Sequence, residues 1–495
     1  MVFPMIRRWR IFALLPALLV LAACTTHPVT GKQSFTAFLS PEDEKRIGAE
    51  EHPKLIREFG GAYGDAKLRA YVRRTGLKLV RVSEARNLPF TFTILDDDKV
   101  NAFALPGGYI HITRGLLALA GNEAEMASVL AHEIGHVTAR HAAERYSTAM
   151  ATNLGLMVLG VISSSAGMPS GVGQLVGLGA QAALSGYSRE QELEADMLAV
   201  RYLTRAGYSP HAMTSFFHKM RAHSELEAAL AGEKDGGGRY NIMATHPRTA
   251  ERINQAIGLA KVTAVKSPVV GREEFLAEID GMVFGDDPHQ GVRRGRMFMH
   301  PDLRIQFKVP PGFTLFNSPR RVIARGPRQS VIIFDMADEK TARETRSVTG
   351  YLGLWGGNLG LGRIERITIN GLDAATAAAR VSTRDGPRDV RLLTIRGGAD
   401  RLFRFTFITP PALTRRLEVE LQRTTYSFRR LSREEAEAIK PLRIKVVNAE
   451  PGDTPKSLAA RMPFEKFGLR WFEVLNGLDP GQGLRPGRAV KIVTE

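Results

Sequence analysis

Apolar side chains recur at helical spacing between residues 123 and 140. Met126, Val129, Leu130, Ile134 and Val137 fall on one side of a helix that starts near Glu123. A second helix is signalled farther on. Ser188 and Gln191 form a capping-box pattern, the helix runs to about Ala206, and Gly207 and Pro210 stand just past its end. Upstream, Ser40-Pro41-Glu42 opens helical patterning that continues to about Val82, with a break at Gly60-Gly61. Alternation over 89–95, 100–105 and 109–113 predicts three short strands, the last two joined by Pro106-Gly107-Gly108. Asp96-Asp97-Asp98 reads as a solvated turn, and a short helix follows Arg114. Residues 150–186 are apolar but broken by Gly, Ser and Pro169, with no clean run of ~20 apolar residues. They read as helix, mobile loop, helix.

After Ala260 the pattern changes. A short helix over 273–279 precedes Gly285-Asp286-Asp287-Pro288, a boundary signal. From 296 to 430 the alternation is mostly that of strands, among them 303–309, 330–334, 390–395 and 402–407, followed by a helix over 411–426. No constellation of chemistry-bearing residues marks this stretch, which vaguely resembles PsbP/Mog-like domains.

The first helix carries His132-Glu133-Ile134-Gly135-His136, an H-E-x-x-H pattern. Histidines at i and i+4 lie one above the other, so both imidazoles reach one metal ion. Glu133 points near the same place and suits a general base acting on water. The pattern alone also fits a surface helix, so a third ligand decides. In the second helix Glu192 and Asp196 are again i and i+4 and share a face. By themselves they read as a solvated acidic face beside Glu190 and Glu194. Beside H-E-x-x-H the ligand reading is the stronger, with Asp196 placed to hold the other ring N–H of a ligating histidine.

Composition adds the compartment. The 495 residues are too many for one core and imply two to four domains. A formal charge of +17 suggests an anionic neighbour, although a solvated Arg-rich surface accounts for it as well; no basic tail or nucleic-acid motif points to nucleic acid. Arg7, Arg8 and Arg10 precede a short apolar run that ends in Leu21-Ala22-Ala23-Cys24. This resembles a bacterial lipobox and implies cleavage before Cys24 and acylation of that cysteine. Thr25 in place of Asp favours an outer-membrane anchor. With a single cysteine there is neither an intramolecular disulfide nor a Cys-based metal site, so a metal must use His, Asp or Glu.

Five motifs now stand in order: Asn101-Ala102-Phe103-Ala104, Pro106-Gly107-Gly108, Leu130-Ala131-His132-Glu133-Ile134-Gly135-His136, Ser188-Arg189 with Glu192 and Ala195-Asp196, and Thr245-His246-Pro247. Over about residues 29–262 they resemble the gluzincin peptidase family of HtpX, the CAAX prenyl protease and the periplasmic BepA-like enzymes. The resemblance implies zinc on His132, His136 and Glu192, Glu133 as base, Asp196 behind the ligands, and substrate added as a strand along Asn101–Ala104. It also brings His246 near the metal, either in the fourth position or as an oxyanion donor. Residues 150–186 would then lie over the active site. His141, Arg140 and Arg252 fit the family's surroundings but are adequately read as packing and ion-pair residues. The last fifty or so residues, with Pro451-Gly452-Asp453-Thr454, Leu475-Asn476-Gly477 and Leu484-Arg485-Pro486-Gly487, resemble a LysM module, although Pro455 departs from its pattern.

The expected architecture is α+β multidomain. It comprises a signal peptide (1–23), a tether (24–39), a mainly helical zincin peptidase domain with a small sheet (40–262), a linker (263–290), a β-rich α+β domain (291–435) and a LysM-like βααβ module (443–495). The expected protein is a periplasmic, outer-membrane-anchored zinc endopeptidase with one Zn2+ per chain. Its partners would be misfolded or stalled envelope proteins, lipid through Cys24 and peptidoglycan through the last module. A latent peptidase acting as chaperone or wall-tethered adaptor is the alternative.

Overall fold

The computed structural model describes residues 24–26, 33–36, 39–150, 186–231 and 265–495, with His246, Arg252, Gln255 and Gly258 between them. The expected signal peptide, most of the 150–186 stretch, and Thr245 and Pro247 lie outside the described residues. The chain forms two compact units. One gathers residues up to Met282 together with Ile444–Thr494; the other is essentially Val283–Arg443. The whole is mixed α+β, with a helical N-terminal part and a β-rich part after it.

In the first unit, β1 (Cys24–Thr26) pairs with β2 (Gln33–Phe35). Helices α1 (Pro41–Glu58) and α2 (Ala66–Val82) follow, the second capped by Asp65 on the Leu68 N–H. Strands β3 (Thr91–Leu95), β4 (Ala102–Leu105) and β5 (Tyr109–Thr113) make a sheet of order β3-β5-β4, with β3 parallel and β4 antiparallel to β5. A Cβ on Gly107 (φ +81°) would meet the backbone of Lys45 at 2.8 Å, which explains glycine in this turn. The aspartate cluster is not the solvated turn its composition suggests. Asp97 is buried and accepts from the Lys99 N–H, and Asp96 pairs with buried Arg114 at 2.8 Å.

Helix α3 (Arg114–Leu119) leads to α4 (Glu123–Thr138), which is capped by Asn122 and buried along its whole length. Residues 141–150 are helical again. Helix α5 (Arg189–Arg205) begins with both hydrogen bonds of the Ser188/Gln191 capping box and packs against α4. A Cβ on Gly135 would approach the Ala195 carbonyl oxygen to 3.0 Å, so the missing side chain lets the two helices close. Helices α6 (His211–Ala231) and α7 (Arg272–Ile279) complete this part.

The second unit holds a seven-stranded antiparallel sheet built from β6 (Thr314–Ser318), β7 (Arg321–Arg325), β8 (Val331–Met336), β9 (Glu365–Ile369), β10 (Leu372–Thr383), β11 (Gly386–Arg396) and β12 (Leu402–Thr409), in the order β6-β7-β8-β12-β11-β10-β9. A phenylalanine-rich core, with Phe298, Phe307, Phe334, Phe403, Phe405 and Phe428, fills one cluster. A smaller one forms around Tyr351, Leu352 and Leu392. The strands expected at 303–309, 330–334, 390–395 and 402–407, and the helix at 411–426, are all present.

Near the C-terminus, β13 (Leu442–Asn448), two short helices (Pro455–Ala459 and Gly468–Asn476) and β14 (Ala489–Thr494) follow in β-α-α-β order. This segment packs into the first unit. Lys491, 1% exposed, donates to the carbonyls of Ala118, at 2.5 Å, and Ala120, at 2.7 Å, at the end of α3. Arg272 joins the Gly121 and Ala489 carbonyls, each at 2.9 Å. These contacts hold the turn from which α4 starts.

Candidate metal centre and active site

Helix α4 sets His132 and His136 one turn apart. Their Nε2 atoms are 3.0 Å from each other, with the rings nearly perpendicular. Helix α5 brings in Glu192, whose Oε1 lies 3.5 Å from His136 Nε2 and whose Oε2 lies 3.7 Å from His132 Nε2. His246 adds Nδ1 at 3.2 Å from His132 Nε2 and 2.7 Å from Glu192 Oε1. The four donor atoms lie within 4.8 Å of one another, and all four residues are buried.

This set fits a zinc ion. Ligands at 2.0–2.1 Å in a tetrahedron stand about 3.3 Å apart, close to the separations found. The tautomers agree. His132 Nδ1 is 2.9 Å, obliquely, from the Asp196 carboxylate, which calls for a proton there and leaves the Nε2 lone pair inward. Nδ1 of His136 is likewise engaged, 2.8 Å from Nδ1 of His141. Two inward lone pairs 3.0 Å apart repel unless a cation sits between them.

The charges of the surroundings suit a cation too. Burial, helped by neighbouring His132 and His141, pushes the His136 imidazole well below its usual range and keeps it neutral, as a ligand must be. Burial alone would raise the Glu192 carboxyl. His246, His136 and His132 outweigh it and hold the group ionised far below the usual carboxylate range. Asp196 behaves in the same way, with burial overcome by His132 and Arg252. Arg252, 2% exposed, grips both oxygens of Asp196 at 2.7 and 2.8 Å and reaches Glu192 Oε2 at 2.5 Å.

Glu133 is fully buried. Its carboxylate faces the Ala104 N–H and has no well-formed hydrogen bond among the described residues. Burial raises its carboxyl above the usual range against the pull of His246 and His132. His246 Nε2 stands 3.5 Å from it. In β4, Thr113 N–H donates to the Asn101 carbonyl, so residues 101, 103 and 105 bond to β5. Ala102 and Ala104 therefore turn their N–H and C=O groups to the free edge. All four β4 residues are buried, and Asn101 is 2% exposed. A narrow, largely apolar pocket beside His132 and His246 is lined by Val129, Met213, Phe216, Phe217 and Met220.

Thus His132, Glu133, His136, Glu192, Asp196 and His246 come together, with Ala104 beside them. Cys24 begins β1, away in sequence from all of these. Three features of the surroundings are not legible in the helical pattern. Tyr187, just before the α5 cap, stacks on His136 with centroids 3.8 Å apart and planes 17° apart. The Arg145 guanidinium lies 4.7 Å from the Tyr187 ring centroid. Arg252 is an ion-pair residue, as its sequence reading allows, but it bridges two acids, Asp196 and Glu192.

A histidine pair with an intervening acid on one helix and a carboxylate from a second helix defines a metallopeptidase site of the two-His, one-Glu type. Residues 66–260 match the model of Peptidase family M48, and the buried His/Glu set of this segment is compatible with a metallopeptidase of that kind. The chain is 31% identical over 225 residues to the beta-barrel assembly-enhancing protease of Escherichia coli strain K12, covering 44% of each chain. It is 28% identical over 233 residues to the mitochondrial metalloendopeptidase OMA1 of Schizosaccharomyces pombe, covering 46% of this chain and 64% of that one. The chain thus spans less than half the length of the Escherichia coli relative. The solution structure of cyanobacterial PsbP from Synechocystis aligns over 28% of this chain and 98% of its own at 15% identity. Its TM-score of 0.23 is too low to carry an argument.

Proposed function

We propose that the protein is a zinc-dependent endopeptidase of the bacterial envelope that cleaves misfolded or stalled proteins during outer-membrane β-barrel assembly. The buried donor set of His132, His136, Glu192 and His246, with Glu133 beside it, carries this reading. His132, His136 and Glu192 would hold the ion, and Asp196 with Arg252 fixes His132 and Glu192. When bound, zinc supplies Lewis acidity toward a water and a scissile carbonyl. Glu133 takes a proton from the attacking water and returns it to the leaving amine; its raised carboxyl suits both steps. The outward N–H and C=O groups of Ala102 and Ala104 would hold the substrate as an added strand.

The relative's printed name supports β-barrel assembly as the setting. Lipid anchoring at Cys24 rests on the lipobox-like sequence. No helix among the described residues is long and apolar enough to cross a membrane. Glycan binding by the C-terminal segment is part of the proposal: its loops 450–452 and 479–483 are exposed.

The second reading, latency, is favoured by His246. Its Nδ1 lies inside the donor set, where a fourth ligand would displace the catalytic water. The test is elemental analysis of purified protein. One zinc per chain is expected, lost in His136→Ala. A metal-free wild type, or full occupancy in the variant, refutes the metal reading.

A further inference from the structure

The second nitrogen of His136 is held in an unusual way. A ligating histidine ordinarily gives its outer N–H to a carboxylate, a backbone carbonyl or water; His132 Nδ1 stands 2.9 Å from the Asp196 carboxylate. For His136 the partner is another imidazole, His141 Nδ1 at 2.8 Å. His141 Nε2 in turn faces Glu194 Oε2 at 3.4 Å. All three are buried: His136 is 2%, His141 1% and Glu194 6% exposed.

On a continuous helix His141, five residues after His136, would be turned about 140° away from it. Helix α4 instead ends at Thr138, and Arg140 adopts a left-handed conformation, φ 54°, which a non-glycine residue takes only at a cost. Arg140 is fixed there by Glu44 Oε1, 2.6 Å from its Nε, and by the Leu39 carbonyl, 2.9 Å from Nη2. This bend brings His141 back onto His136. Tyr187, stacked on the His136 ring and backed by Arg145, fixes the plane of that ring.

We propose that His141, backed by Glu194, is a positioning residue for His136. His136 Nδ1–H donates to His141 Nδ1, and His141 Nε2–H donates to the Glu194 carboxylate. The chain of donors leaves His136 Nε2 as a lone pair aimed at the metal position. The strained turn at Arg140 serves to place this relay. The inference rests on the reading of His132, His136 and Glu192 as zinc ligands.

The test is zinc affinity, measured by competition with a chromophoric chelator, together with the visible spectrum of the cobalt-substituted protein. His141→Phe keeps the bulk but offers no acceptor. It lowers zinc affinity about 10–100-fold and shifts the cobalt bands. His141→Asn places a carbonyl oxygen where Nδ1 stood and restores affinity to within about threefold of wild type. A role in packing alone would not distinguish acceptor from non-acceptor. Equal affinity in His141→Phe and wild type, or equal losses in both variants, overturns the proposal. Should His141→Phe not fold, Glu194→Leu leaves His141 in place and removes the carboxylate that faces its Nε2. A fall of about two- to tenfold then supports the relay, and an unchanged affinity overturns it. A wild type that binds no zinc defeats the ligand reading instead, so the two failures are told apart.

Discussion

Replacing Arg252 by Met tests how the acidic half of the centre is kept folded. The guanidinium is 2% exposed and is shared by two carboxylates, bidentate to Asp196 and single to Glu192. Met fills much of the same volume but leaves two buried carboxylates facing only histidines. Removing one partner of a buried, hydrogen-bonded ion pair costs about 3–5 kcal/mol. At about 2–4 °C per kcal/mol for a domain of this size, the midpoint of thermal unfolding should fall by about 6–20 °C. A bound dication would take over part of the compensation, so the loss should be smaller with zinc than with chelator. Scanning calorimetry of wild type and Arg252→Met in both conditions reads this. A variant within about 1 °C of wild type in chelator would refute the argument that Arg252 neutralises these acids.

Two further outcomes follow from the same geometry. His246→Ala, at matched zinc occupancy, should raise peptide hydrolysis if the imidazole caps the metal at rest. A fall of about 10²–10³ would instead make it an oxyanion donor, and no change would remove it from the site. Arg272→Met breaks the bridge between the Gly121 and Ala489 carbonyls. Amide exchange should quicken about 5–30-fold in both β14 and the turn before α4, as loss of about 1–2 kcal/mol implies. Faster exchange on one side alone would contradict the docking of the C-terminal segment on this turn.

The centre was legible where its chemistry follows helical periodicity. His132, Glu133 and His136 share one helix; Glu192 and Asp196 share another, and its start was readable from Ser188 and Gln191. The three strands before them were readable from alternation and from the Pro-Gly-Gly turn, which places β4 at the sheet edge. The packing of the aspartate cluster was not readable, because the partner of Asp96, Arg114, folds back from 18 positions farther on. The role of His141 was hidden for a related reason. Spacing from His136 points it away, and only the left-handed Arg140, which carries no glycine signal, turns it inward. The packing of Lys491 on the end of α3 joins residues more than 370 positions apart, beyond any local pattern.

The central claim is that Glu133 performs general-base chemistry at a zinc held by His132, His136 and Glu192. It is tested most directly by the rate of unfolded-protein or peptide cleavage by wild type and Glu133→Gln, each stripped with chelator and then reloaded with zinc. Gln keeps the shape of the side chain but cannot take up the proton. Wild-type cleavage should vanish with chelator and return with zinc. The variant should bind zinc equally and remain slower by about 10²–10⁴. Cleavage that persists in chelator, or near-normal turnover by zinc-loaded Glu133→Gln, would contradict the account.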